Sequence, residues 1–169
     1  MKKHLSFLTV VFYFWYTTPS FSQQHSNSGM EMDAANGHII LNERDLVWKT
    51  GPASLPPGSK IAVLEGDLSK AGPFTIRISA PPNYRIGPHF HPAIEHVTVI
   101  EGSFFMGSGK EYNEATATQI KKGGMGIMPV GYAHYAFTKG KTIIQLHGLG
   151  PWGITYVNDG DDPRKTVKK

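Results

Sequence analysis

The sequence has no cysteine among its 169 residues, which excludes both a disulfide framework and a lipidated N-terminal cysteine. Stability must therefore come from packing and, where ligands allow it, from metal. Charge is also sparse, with 18% Asp, Glu, Lys and Arg. The basic residues form no clustered face of the kind that nucleic acid requires, so nucleic acid is excluded as a partner. Helix-period apolar patterning is missing over any useful length, and only one long hydrophobic run is present. That run, Leu5 to Tyr16, follows Lys2, Lys3 and His4 and breaks at Thr17-Thr18-Pro19. It is well short of the roughly 20 apolar residues a spanning helix needs. It reads instead as a secretory signal over residues 1–22, cut after Ser22 where Ser20 and Ser22 supply small residues, which leaves Gln23 as the mature N-terminus. The expected location is periplasmic or secreted, with no membrane association after cleavage. Removing Lys2 and Lys3 leaves 15 basic against 13 acidic residues, a net charge of +2.

What is abundant is punctuation: 19 glycines and 12 prolines. Residues 23–37 are small and polar and read as a flexible lead-in. From residue 38 to 157, strand-sized apolar runs alternate with turn signals: KIAVLE, FTIRIS, EHVTVIE, SFFMGSG, TQIKK, MGIMP, HYAFT, KTIIQLHG and GITYV. Roughly ten short strands predict an all-β sandwich or jelly-roll barrel in one domain. Residues 158–169 read as a polar basic tail, opened by a solvated turn at Asp159, Asp161 and Asp162.

The segment His89-Phe90-His91-Pro92-Ala93-Ile94-Glu95 carries the chemistry. Residues two apart on an extended chain share a face, so His89 and His91 project together. Glu95 opens the strand Glu95, Val97, Val99 at even separation from both, which aims its carboxylate inward. Two imidazoles and a carboxylate buried together are costly unless something satisfies them, and a divalent metal satisfies all three. A Gly/Pro turn at Gly123, Pro129 and Gly131 delivers His134 to the start of HYAFT. By itself His134, beside Tyr132 and Tyr135, reads as readily as a hydrogen-bonded core residue.

Together the two segments resemble the cupin superfamily, whose motifs run G-x5-H-x-H-x3-4-E-x6-G and G-x5-P-x-G-x2-H-x3-N. His89, His91, Glu95 and Gly102 fill the first; Gly123, Pro129, Gly131 and His134 fill the second. Asn83 stands where the first motif opens with glycine, and Thr138 where the second closes with asparagine. The closing stretch GPWGITYVNDGDDPR is similar to that of exported single-domain cupins. The resemblance implies a jelly-roll, double-stranded β-helix barrel over residues 38–157 with one divalent ion on His89, His91, Glu95 and His134. Iron, manganese, nickel, copper and zinc all suit that donor set. It further implies a small-molecule substrate or ligand, and it leaves a homodimer open.

Two functional classes follow. One is a metal-dependent enzyme, a dioxygenase or an isomerase; the other is a non-catalytic metal-binding or ligand-sensing module. Phe104, Met106, Met125, Ile127 and Trp152 read as barrel packing first and substrate wall second. Arg77, Gln145 and His147 either line the cavity or face solvent, and His96, one step from Glu95, points away from the site.

Overall fold

The computed structural model describes residues 38–165. The chain divides into a unit ending at Ile39, of which only His38 and Ile39 are described, and a unit from Ile40 to Lys169 that contains every regular element found among the described residues. The signal and lead-in readings for residues 1–37 lie outside the described residues, as do residues 166–169. No helix among the described residues is long and apolar enough to cross a membrane.

Eleven strands make up the fold: β1 (Lys49–Thr50), β2 (Lys60–Glu65), β3 (Gly72–Ala80), β4 (Arg85–Phe90), β5 (Glu95–Glu101), β6 (Ser103–Ser108), β7 (Thr118–Lys121), β8 (Met125–Met128), β9 (His134–Thr138), β10 (Thr142–Gly150) and β11 (Thr155–Tyr156). They form two antiparallel sheets, one ordered β1-β2-β3-β10-β5-β8 and the other β11-β4-β9-β6-β7. Period-two alternation decides which face is inside. On β3, Phe74, Ile76, Ile78 and Ala80 are buried while Thr75, Arg77 and Ser79 are only half-buried. On β5 the buried set is Glu95, Val97 and Val99. The apolar ones, Phe74, Ile76, Ile78, Ala80, Val97 and Val99, join Phe104, Met106, Ala136, Ile144, Leu146, Ile154 and Tyr156 in one core. The architecture is the expected all-β jelly roll.

Both departures from the motifs are accommodated by local chemistry. Asn83 adopts φ 57°, the left-handed conformation that asparagine tolerates better than most residues, and so does the turn that glycine would do. Thr138 is fully buried; its Oγ1 donates to Pro81 O at 2.7 Å and accepts from Tyr84 N–H at 3.0 Å. It therefore ties β9 to the turn entering β4. Gly131, with φ 70°, donates its N–H to His91 O at 2.9 Å, which joins the second motif to the first.

Two expectations need correction. Met125 and Ile127 are not packing residues of the barrel interior: they are 51% and 53% exposed. Register explains this, because β8 pairs Met128 with Glu95 and Gly126 with Val97, which puts Gly126 and Met128 on the inner face. Three of the four residues of β8 are apolar, so the sequence could not distinguish the two parities. The expected solvated turn is also more ordered than supposed. Asp159–Asp161 form a 3-10 turn, Asp161 packs over Gly87 of β4, and buried Asp162 accepts from Arg164 Nε and Nη2, each at 2.8 Å.

Candidate metal centre

All four predicted ligands sit at strand termini on one end of the barrel. His89 is in β4 and pairs directly across the sheet with His134, the first residue of β9. His91 follows β4 immediately, and Glu95 opens β5. All four side chains are buried, with relative exposures of 3% for His89, 2% for His91, 7% for Glu95 and 1% for His134. The imidazole centroids are 4.2 Å apart for His89 and His134, 5.0 Å for His89 and His91, and 5.2 Å for His91 and His134. One ligand atom from each histidine falls within 4.8 Å of the others. Donors at about 2.1 Å from a shared ion are at most about 4.2 Å apart, so the cluster is close to coordination size. Glu95 Oε2 lies 3.1 Å from His134 Nε2 and 3.7 Å from His91 Nε2.

The backbone sets the tautomer of every ring. Nδ1 of His89 meets Gly87 O at 2.8 Å, Nδ1 of His91 meets Gly153 O at 2.6 Å, and Nδ1 of His134 meets Tyr132 O at 2.9 Å. A carbonyl oxygen only accepts, so each Nδ1 carries the proton and donates it. In a neutral ring Nε2 is then a bare lone pair. Burial, with the neighbouring imidazoles adding to it, pushes the His89 pKa well below the usual imidazole value. Burial likewise lowers that of His91, against the opposing pull of Glu95. These two rings are neutral at neutral pH.

The result is that two neutral rings present acceptor nitrogens to a site shared with a carboxylate. Although Glu95 Oε2 is within 3.1 Å of His134 Nε2, the contact is not aligned as a hydrogen bond. Neither Glu95 Oε2 nor His91 Nε2 has a hydrogen-bond partner among the described residues. Buried acceptors without donors are strongly unfavourable, and a divalent cation is the group that satisfies them all. Imidazoles held through Nδ1 by backbone carbonyls are the usual outer support of histidine metal ligands.

The residues around the cluster are mainly apolar. Met128 lies beside Glu95 in the β5–β8 register, and Met106 is paired with Ala136, two residues along β9 from His134. Trp152 stacks on His91, with ring centroids 4.2 Å apart and planes at 18°. Nothing in the sequence singled out Trp152 for this role, because residue 152 is far from His91 along the chain and only the fold brings them together. Phe104 and Met106 are buried as expected. Arg77, Gln145 and His147 lie on the outer face of the six-stranded sheet: Arg77 Nε donates to Gln145 Oε1 at 3.1 Å, and His147 stacks on His96.

The model of the cupin family matches residues 62–146. The chain is a cupin. A similar relative is the candidate germin-like protein 2-3 of Oryza sativa subsp. japonica, 36% identical over 78 residues, which are 42% of this chain and 35% of that protein. The cupin thus spans about a third of that relative's length. Among solved structures, the polyketide cyclase RemF from Streptomyces resistomycificus superposes with a TM-score of 0.59 at 18% identity, over 76% of this chain and 91% of RemF. A candidate acetylacetone dioxygenase from Methylibium petroleiphilum PM1 gives 0.57 at 17% identity, over 82% of this chain and 90% of its own. An RmlC-like cupin from Shewanella frigidimarina NCIMB 400 gives 0.51 at 13% identity, over 66% and 89%. At these identities the likeness concerns the fold.

Proposed function

We propose that this cupin is an exported, single-barrel protein that holds one divalent ion on His89, His91, Glu95 and His134 and uses it to transform a small molecule. The observation that carries the reading is the fixed tautomer of the three rings. Each Nδ1 is bound to a backbone carbonyl, which leaves the Nε2 atoms free for an ion, with Glu95 Oε2 beside those of His91 and His134. A bound divalent ion would supply Lewis acidity there and, if redox-active, electron transfer to oxygen.

The chain's own residues do the rest. The three carbonyl contacts hold the rings near the positions an ion needs, so that little reorganisation is required when it arrives. Glu95 brings one negative charge, which offsets part of the ion's charge and leaves a net positive centre that attracts an oxygen-bearing ligand. Four protein ligands leave up to two positions on a six-coordinate ion for that ligand. Apolar neighbours such as Met106 and Met128 limit access by bulk water. The reaction is assigned to the dioxygenase or isomerase class, and the structural neighbours' names, a cyclase and a candidate dioxygenase, fit a barrel that supports several chemistries.

Metal analysis is the first test. Protein dialysed against metal is expected to retain about one equivalent per barrel, and folded protein retaining less than about a tenth would end this reading. The second test loads the apo-protein with iron(II), manganese, nickel, copper and zinc in turn and follows oxygen uptake with catechol-like, flavonol-like and diketone substrates. Oxygen consumption confined to the redox-capable ions supports a dioxygenase; turnover without oxygen, zinc included, supports an isomerase. Export is checked by intact mass, with Gln23 the expected first residue of the mature chain.

A further inference from the structure

The residue stacked on His91 is a hydrogen-bond donor. Trp152 is packed between Phe74, at 5.6 Å between ring centroids, and His91, at 4.2 Å with the planes nearly parallel. Its indole Nε1, which can only donate, is buried and has no hydrogen-bond partner among the described residues. Tryptophan buried for packing alone normally finds a partner for its N–H, since an unpaired buried donor is costly.

Two backbone groups of the same short segment help to hold this arrangement. Trp152 N–H donates to Leu68 O at 2.7 Å, and Gly153 O accepts from His91 Nδ1 at 2.6 Å. One segment thus fixes a ligand ring through a carbonyl and covers it with an aromatic plane. It also leaves an unused donor on the ring that covers one of the ligand histidines. Phenylalanine would cover His91 equally well, so stacking does not explain the indole nitrogen.

Resting on the metal reading above, we propose that Trp152 is a ligand-positioning residue. Its indole N–H donates to an oxygen or nitrogen acceptor on the small molecule that occupies an open position of the ion. The class of ligand follows: a compact anion or enolate whose one acceptor atom binds the ion and whose second meets Trp152. Two-point binding of this kind orients a ligand in a way that one coordination bond alone does not.

The test separates ion from ligand. Wild type and Trp152→Phe are loaded with cobalt(II), metal content is measured, and azide and acetate are titrated against the visible absorption of the ion. Expected is one equivalent of metal in both, with affinity for the ion within about twofold, and azide and acetate binding about three- to tenfold weaker in Trp152→Phe, the loss of one hydrogen bond. Equal anion affinity in the two proteins overturns the proposal and leaves the metal reading intact. Absence of metal from the wild type overturns both. Should Trp152→Phe fold poorly, the wild type alone decides: in zinc-loaded, nitrogen-15-labelled protein the Trp152 indole cross-peak is expected to shift on addition of azide, and a peak unmoved at saturating azide counts against the contact.

Discussion

Two groups of histidines lie on opposite faces of this cupin, and adjacent residues of one strand separate them. On the inner face, next to Glu95, the rings of His89, His91 and His134 are each held through Nδ1 by a carbonyl oxygen. On the outer face His96 stacks on its cross-strand neighbour His147, with centroids 4.9 Å apart and planes at 10°. The outer pair is as close as the inner three, yet His96 Nδ1 has no hydrogen-bond partner among the described residues and no carboxylate is paired with either ring. Proximity of imidazoles therefore does not by itself carry the metal reading. What distinguishes the inner set is a tautomer fixed by the backbone, together with a carboxylate oxygen 3.1 Å from His134 Nε2 and 3.7 Å from His91 Nε2.

The largest expected effect contrasts the two faces directly. His91→Ala and Glu95→Ala should each weaken metal binding by more than about 100-fold, while His96→Ala changes it by less than about twofold. Competition with a chelator measures all three. Equal losses would mean that the inner and outer faces of β5 are assigned wrongly.

A smaller effect is expected at the base of the inner face. Thr138→Val removes the acceptor of Tyr84 N–H and the donor to Pro81 O, at a cost of about 1–3 kcal/mol. Melting by circular dichroism should show a drop of several degrees, with metal content still at about one equivalent. A loss of metal in step with stability would show that the turn at Asn83 also positions the ligands.

The smallest effect is a dependence of the apo-protein on pH. The folded-state pKa of His89 and of His91 is depressed below about 6.5, whereas in the unfolded chain it is ordinary. Below that pH the unfolded chain binds protons that the folded chain does not. Stability is thus fully present above about pH 6.5 and is lost as pH falls from there toward the folded values. Urea midpoints between pH 8 and 5 should decline with acid, and the decline should be shallower in His89→Gln. A flat profile would mean that burial does not hold protons off the inner rings.

Legibility differed from residue to residue for physical reasons. Glu95, Val97 and Val99 could be placed inward because Val97 and Val99 alternate with the polar His96 and Thr98 along β5. Met125 and Ile127 could not, because β8 is apolar on both parities and only its pairing with Glu95 and Val97 decides which face is which. Asn83 was legible as a left-handed turn because few other side chains tolerate that conformation. The order around Asp162 was not, because it depends on Arg164 folding back to the barrel.

The sequence by itself determined the all-β class, the cupin motifs and the inward aim of His89, His91 and Glu95, because these depend on local spacing and a period of two. Only the tertiary structure decided that His134 pairs across from His89, that Gly87, Tyr132 and Gly153 lend the carbonyls that set three tautomers, and that Trp152 lies on His91 with its N–H unpaired. Contacts between residues as far apart as His91 and Gly153 depend on how two sheets close on each other. No local pattern encodes that closure.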